Sequence, residues 1–370
     1  MQGRQQASQG RQQASRRKQI KAANKQAEKV GNRTIRERAG DLATPNISES
    51  VCAPRRRNDE CRVLAALEQC RERVLVLQAG ALVGNDAIPP IIQLLVALRF
   101  YATRSFLQII GDFCGISTSS TQRIVYRVSC AIATLRQEFI KLQLLPEEIR
   151  QNEEEFYQTA KFIRAIGCMD CTHIKIQSYG EYKESELYLN RKGWFSFNVQ
   201  VIVNTKLEII DIVARWPGST HDSIIFNHSR IKSLFETGTF GDSVLITDSG
   251  YPNISYIVCP LQSPTTAAEH LYNESQIRTR SKIERFFGIW KRTFPILSVG
   301  ARFRTPEKML PVIVATAVLH NIIQHDKEEI ITNPEAYNNA IVLMQDINES
   351  NRNVTDVRRT MVKYFERLIF

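Results

Sequence analysis

A chain of 370 residues that is 43% hydrophobic and 24% charged has enough apolar material for a sizeable core and room for two domains, which excludes collagen-like, low-complexity and wholly disordered classes. The formal charge of +11 is uneven: residues 1–41 hold eleven Lys and Arg against three Asp and Glu, so a basic N-terminal segment suited to nucleic acid or an anionic surface precedes a nearly neutral body. Eight scattered cysteines do not make a disulfide scaffold and read as reduced thiols, no apolar secretory core opens the chain, and the longest apolar run, Met309–Leu319, falls short of the roughly 20 residues a membrane span needs.

Residues 1–55 form a basic low-complexity tail in which G-R-Q-Q-A-S occurs twice, at Gly3–Ser8 and Gly10–Ser15. Aromatic residues are absent from its first 50 positions, and disorder is expected. Arg16-Arg17-Lys18 and Arg55-Arg56-Arg57 read either as nuclear-import signals or as a solvated, phosphate-attracting tail. Residues 56–155 read as a helical domain. Val63, Leu64, Leu67 and the run Val74–Leu77 recur at helical spacing, and Pro89-Pro90 opens a helix carrying Ile91, Leu94, Leu95, Leu98 and Phe100. Ser105–Cys114, a break at Gly115 and Ser117–Leu135 then suggest a helix-turn-helix. On its second helix Ile124, Val125, Val128 and Ile132 face inward. Gln122, Arg123, Tyr126 and Arg127 fall on the outer face, where a recognition helix meets DNA. An ordinary helical hairpin explains the same pattern.

From residue 160 the period changes. Phe162–Ile176, Phe195–Val203 and Leu207–Arg215 alternate as half-buried strands do. A helix at Ser223–Phe235, a short strand Val244–Ile246, a long loop over 252–274, a helix bearing Glu284 and a last helix Pro311–Ile323 complete the order of an α/β, RNase H-like mixed sheet flanked by helices, spanning residues 160–325. Residues 326–370 read as a polar helical C-terminal tail without an assigned role.

Carboxylates mark the chemistry. Ile166, Cys168, Asp170, Thr172 and Ile174 share one face of the first strand. Asp170 is therefore an ionisable group on a mostly apolar face, costly unless paired. Cys168 and Cys171 diverge to opposite faces, which disfavours zinc or redox roles for them. Asp248 sits just past the strand Val244–Ile246, where an open sheet presents ligands. Ile283, Phe286, Phe287, Trp290 and Phe294 form a helical stripe with Glu284 at its margin, 36 positions after Asp248. Three carboxylates brought together repel one another and call for a divalent cation. Asp222, in W-P-G-S-T-H-D-S, reads equally as a helix cap or a metal ligand, with His221 beside it structural or phosphate-contacting. Arg191 and Lys192 occupy the turn of Y-L-N-R-K-G, a surface turn or a phosphate clamp.

Taken in order, M-D-C-T-H-I at 169–174, N-R-K-G at 190–193, P-G-S-T-H-D-S at 217–223, T-D-S-G-Y-P at 247–252, I-E-R-x-F-G at 283–288 and A-V-L-H-N-I at 317–322 resemble the PIF/Harbinger superfamily of DDE transposases. The likeness is strongest to the domesticated, Harbinger transposase-derived nucleases of animals. It covers roughly residues 90–325, F-C-G-I-S-T-S at 113–119 included. S-S-T-Q-R at 119–123 departs from the S-T-V-S-R-like run of the family. The resemblance implies a D-D-E triad of Asp170, Asp248 and Glu284, with Asp222 a fourth metal carboxylate. It implies two Mg²⁺ or Mn²⁺ ions, Asp170 bridging them with Asp248 on one and Glu284 on the other, and cleavage of DNA phosphodiesters. It further implies a Myb-like DNA-binding partner protein; by their placement on the turn and on the outer helix face Arg191, Lys192, Gln122, Arg123 and Arg127 are the DNA-binding candidates, and a nuclear location, with some presence in the cytoplasm, is expected. An active transposase and a catalytically silent DNA-binding adaptor are the alternatives.

Overall fold

The computed structural model describes residues 88–369, apart from 104, 179–184, 302, 304, 325–331 and 351–355. The expectations for the basic tail and for the Val63–Leu77 segment lie outside the described residues. Five strands form one sheet in the order β3-β2-β1-β4-β5: β1 (Ala165–Lys175), β2 (Ser196–Val203), β3 (Ile209–Pro217), β4 (Val244–Ile246) and β5 (Ile257–Val258). The first three are an antiparallel meander, and β4 and β5 add in parallel on the other side of β1. β2 is buried along its whole length, as a strand packed on both faces must be, and its Val199, Val201 and Val203 suit a pleated, crowded surface.

Helices cover both faces. Ile202, Met169, Phe226, Ile231 and Phe235 pack on one face, the last three from α6 (Asp222–Asn227) and α7 (Arg230–Glu236). The single helix expected over 223–235 is thus two, divided at His228 and Ser229, where the Ser229 hydroxyl accepts from the Lys232 N–H and caps the second. The other face carries α8 (Ala267–Thr293) and α10 (Met309–Gln324), with the four-residue α9 (Ile296–Val299) between them. The long loop expected over 252–274 is also shorter than its sequence suggests. β5 lies within it, and α8 begins at Ala267 through a reciprocal Thr266–Glu269 capping box.

Upstream, α1 (Pro90–Ala102), α2 (Leu107–Cys114), α3 (Thr118–Thr134), the short α4 (Arg136–Phe139) and α5 (Pro146–Ala160) precede the sheet. Gly115, at φ 66°, closes α2 in the left-handed conformation that glycine tolerates, and Ser117 caps α3. Ile124, Val125, Val128 and Ile132 are buried, Gln122 is half-buried, and Arg123, Tyr126 and Arg127 are exposed. Residues 334–369 are not a loose appendage among the described residues: α11 (Pro334–Ser350) and α12 (Val357–Ile369) bury Tyr337, Met344, Ile347, Met361, Tyr364 and Phe365 in the main core. Alternation along β1 departs from the expected face at one end. A β-bulge between Ala165 and Gly167 sends Ile166 into the cluster of Met169, while Cys168 and Ile174 stay on the α8 side.

The A-V-L-H-N-I segment has a structural explanation. β3 is an edge strand, and its first residue is held by α10: Asn321 Oδ1 accepts from the Ile209 N–H at 2.8 Å, and Asn321 Nδ2 donates to the carbonyls of Ile209 and Phe139, each at 2.7 Å. Three backbone groups would lose their partner in Asn321→Leu. That substitution should destabilise the fold by about 2–5 kcal/mol, as loss of a buried hydrogen-bond network does, measured as a lower denaturant midpoint with unchanged slope.

Candidate active site

Strand register brings the first two carboxylates together. Ile246 of β4 lies opposite Cys168 of β1 in parallel pairing, so two residues further on Asp248 comes level with Asp170. Asp248 is set by the turn after β4, where its Oδ1 accepts from the Gly250 N–H at 2.9 Å. Asp170 Oδ1 accepts from the Cys171 N–H at 2.7 Å. Asp222 arrives from the β2 side. It is the first residue of α6, whose N-cap is His221, and its Oδ1 accepts from Asn198 Nδ2 at 2.7 Å. Its carboxylate is therefore bonded to the sheet, with His221 in the position a helix cap would occupy.

The electrostatics follow from this convergence. Burial pushes the Asp170 carboxyl up to about 7; the Cys171 N–H pulls it down, Asp248 and Asp222 push it further up, and Arg280 opposes them. Asp222 also acts on Cys171, whose thiol is raised chiefly by burial, and on His173, whose imidazole burial holds below its ordinary value. Cys168 donates to the Thr279 carbonyl and Cys171 bonds the Tyr251 hydroxyl, two different surroundings that agree with divergent side chains.

Glu284 lies on α8, where Ile283, Phe286 and Trp290, with Phe294 just past the helix end, are fully buried and anchor it as the stripe predicts, while Phe287 is only half-buried. Its carboxylate pairs with Arg280 Nη1 at 2.8 Å, with the glutamate side chain 56% exposed and the arginine 21%. The structure thus gathers Asp170, Asp222 and Asp248 into one field and leaves Glu284 joined to Arg280, the cation that also acts on Asp170. Among the described residues no three His, Cys, Asp or Glu side chains stand close enough to share one ion. The donors are nonetheless all hard carboxylate oxygens, one of them destabilised in its charged form, and Asn198 Oδ1 beside Asp222 is buried without a hydrogen-bond partner. That chemistry fits a Mg²⁺- or Mn²⁺-type cation.

Basic groups flank the carboxylates. Arg191 and Lys192 are exposed on a turn built by Asn190, whose Oδ1 accepts from the Lys192 N–H at 2.9 Å and whose Nδ2 donates to Ser196 Oγ at 3.1 Å. Ser196 in turn bonds His173 Nδ1 at 3.0 Å, and both basic residues act on that imidazole. Gln122, Arg123 and Arg127 stand on α3, a different helix from those that carry the carboxylates. Two further residues matter. Asn198 is recognisable only once β2 is paired with β1. Lys291, seven positions after Glu284 on α8, meets Thr172 and the His173 carbonyl only once α8 lies across β1.

The raised pKa of Asp170 makes stability pH-dependent. Its folded value lies above its unfolded one, so the folded state holds a proton that the unfolded state releases between about pH 4 and pH 7. In metal-free buffer stability should therefore fall as pH rises through that window, by at most about 1.4 kcal/mol per unit from this group. Asp170→Asn should flatten the slope, read as the difference between wild-type and variant melting curves across the window.

Comparison with known proteins accords with this geometry. Residues 169–321 match the family described as DDE superfamily endonuclease. Over 240 residues the chain is 37% identical to the protein named "Putative nuclease HARBI1" of Mus musculus and 35% identical to its namesake of Homo sapiens, covering 64% of this chain and 68% of each relative. "Protein ALP1-like" of Arabidopsis thaliana is 23% identical over 243 residues, 62% of this chain and 59% of that protein. No solved structure matches. With more than two thirds of the mammalian proteins matched, the chain belongs to the HARBI1 family of Harbinger-derived nucleases, which carry a DDE superfamily endonuclease domain.

Proposed function

We propose that this protein cleaves DNA phosphodiester bonds with two divalent cations, Mg²⁺ or Mn²⁺, held by Asp170, Asp222, Asp248 and Glu284. The observation that carries the reading is the convergence of Asp170, Asp222 and Asp248 from three separate elements into one field of repelling charge. The strand order, an antiparallel meander continued by two parallel strands, is that of an RNase H-like sheet, and it supports the same reading.

Bound cations would supply Lewis acidity toward the attacking water and the departing 3′ oxygen. The protein's part is preorganisation. Each of the three aspartates has one oxygen tied to the fold, by the Cys171 N–H, the Gly250 N–H or Asn198 Nδ2, so the plane of each carboxylate is fixed before a ligand arrives. Glu284 joins them by leaving Arg280. Their pair is an i,i+4 bridge on a half-exposed helix face, and such pairs contribute only about 0.3–0.5 kcal/mol, a small cost for the rearrangement. Arg191 and Lys192 hold the DNA backbone from the sheet side, and Gln122, Arg123 and Arg127 of α3 contact the duplex outside the site. A nuclear location, some cytoplasmic presence and a Myb-like DNA-binding partner belong to this proposal. No helix among the described residues is long and apolar enough to cross a membrane.

Plasmid nicking with Mg²⁺ or Mn²⁺, in the presence of candidate partner proteins, tests the reading. Asp170→Asn, Asp248→Asn and Glu284→Gln should each lower nicking by more than the roughly 10–100-fold typical of an outer-shell loss. A wild-type protein that binds DNA and never nicks it would instead be an adaptor.

Asp222→Asn separates ligand from structural acid. Asparagine keeps an oxygen for Asn198 Nδ2 and is tolerated near a helix start, so folding should survive. Nicking and the rise in melting temperature on adding Mg²⁺ should both be lost, since a cation that binds only the folded state stabilises it by mass action. Equal Mg²⁺-dependent shifts in wild type and variant, with normal nicking, would remove Asp222 from the site.

A further inference from the structure

Gly288 is a glycine that the fold does not require. It lies inside α8, five residues before the last residue of that helix, Thr293, where glycine is the poorest helix former after proline. Other glycines among the described residues have a local reason. Five take a positive φ. At Gly111, Gly167 and Gly218 a Cβ would come within 2.3, 2.6 and 2.2 Å of the Ile116 carbonyl oxygen, the Ile202 side chain and Ser196 Oγ, and at Gly250 within 3.1 Å of Asp248 Oδ1. Gly288 has neither feature. Its φ is not positive, and a Cβ there would meet nothing within 4 Å beyond its chain neighbours and its own helix backbone.

The position is exposed, and Glu284 stands four residues before it on the same helix face. Helical side chains lean toward the N-terminus and cover the turn before their own Cα. A side chain at 288 would therefore lie over the turn that carries Glu284 and Arg285. Without one, the flank of Glu284 is bare backbone. Arg285 beside it is exposed and among the described residues forms no salt bridge. Glu284 pairs with Arg280, whose charge reaches Asp170, so the bare stretch borders the carboxylate site.

We propose that the α8 surface at Gly288 is where the DNA strand bound for cleavage passes closest to the protein, its sugar–phosphate backbone lying against the helix beside Glu284 with Arg285 on its phosphates. A continuous polyanion fits both features, since it needs an unobstructed lane and a cation along it. The substrate class rests on the nuclease reading above; the close approach rests on the glycine. The competing role is a hinge, in which glycine serves to loosen α8.

Full-length wild type, Gly288→Ala and Gly288→Leu would be titrated with a short fluorescent duplex in EDTA at several salt concentrations. Gly288→Ala should melt about 2 °C higher, because helix propensity rises and nothing is displaced. Affinity should fall with side-chain size, slightly for alanine and about tenfold for leucine. The salt slope should stay unchanged in both, because no charge is lost, whereas Arg285→Gln should lower it by about 0.9, the value for one phosphate. The rise in melting temperature on adding Mg²⁺ should persist in both glycine variants, which assigns the defect to DNA and not to cation binding; its loss would overturn the proposal. So would wild-type affinity in Gly288→Leu, or a lower melting temperature in Gly288→Ala. Equal losses of affinity in the alanine and leucine variants would replace the proposal with the hinge. Failure of the nuclease reading is read separately: a wild type that never nicks, with binding graded by side-chain size as expected, would refute cleavage and leave this surface standing.

Discussion

Parallel pairing of β4 with β1 is the constraint on which the site depends. With Ile246 opposite Cys168, the chain leaves β4 at the level of Asp170, and Asp248 has little choice of position. A slip of one residue would turn the whole of β4 over, and Val244, Leu245 and Ile246, all fully buried, could not tolerate that. The register is reinforced from α8, where Gln276 Nε2 donates to the Thr247 carbonyl at 2.7 Å and the Thr279 carbonyl accepts from Cys168. The same helix that carries Glu284 therefore clamps both β1, which carries Asp170, and the end of β4, which leads to Asp248.

That arrangement places negative charge where solvent is scarce. Asp170 responds by becoming hard to ionise, and Arg280, shared in its influence between Asp170 and Glu284, is the countercharge that the protein itself supplies. Among the described residues Lys291, Lys192 and Arg191, which all act on His173, form no ion pair with an acid. Opposite charges kept apart in this way are stabilised less than they would be as ion pairs, a cost tolerated at sites that bind ions.

The periphery supports the sheet in ways that have little to do with chemistry. Asn321 satisfies the start of edge strand β3, and Tyr337 of α11 donates to Glu153 of α5 at 2.6 Å. Ser243, just before β4, donates to the same carboxylate at 2.7 Å. Helix α11 is thereby tied to the segment that feeds β4, so residues past the matched family segment help to hold the register that places Asp248.

Much of this was legible in the order of residues. Apolar alternation marks β1, β2 and β3; the run Val244–Ile246 ending at Asp248 marks β4; and the stripe Ile283, Phe286, Trp290, Phe294 marks the buried face of α8. Such patterns are local, because side-chain direction repeats every two or about 3.6 residues whatever the chain does elsewhere. The motif set likewise carries the family. Pairing across the sheet and the rotamers at its edge are not local. Sequence could weigh Asp222 equally as cap and ligand, but only the fold joins it to Asn198 of β2. Nothing in I-E-R-x-F-G tells that Glu284 turns to Arg280, and the lysine that ends up against Thr172 is one of 49 Lys and Arg until α8 lies across β1. Those choices depend on which side chains the folded sheet and helices bring within reach of one another, from the i,i+4 pair of Glu284 to the 119 positions between Thr172 and Lys291, and the tertiary structure alone sets that.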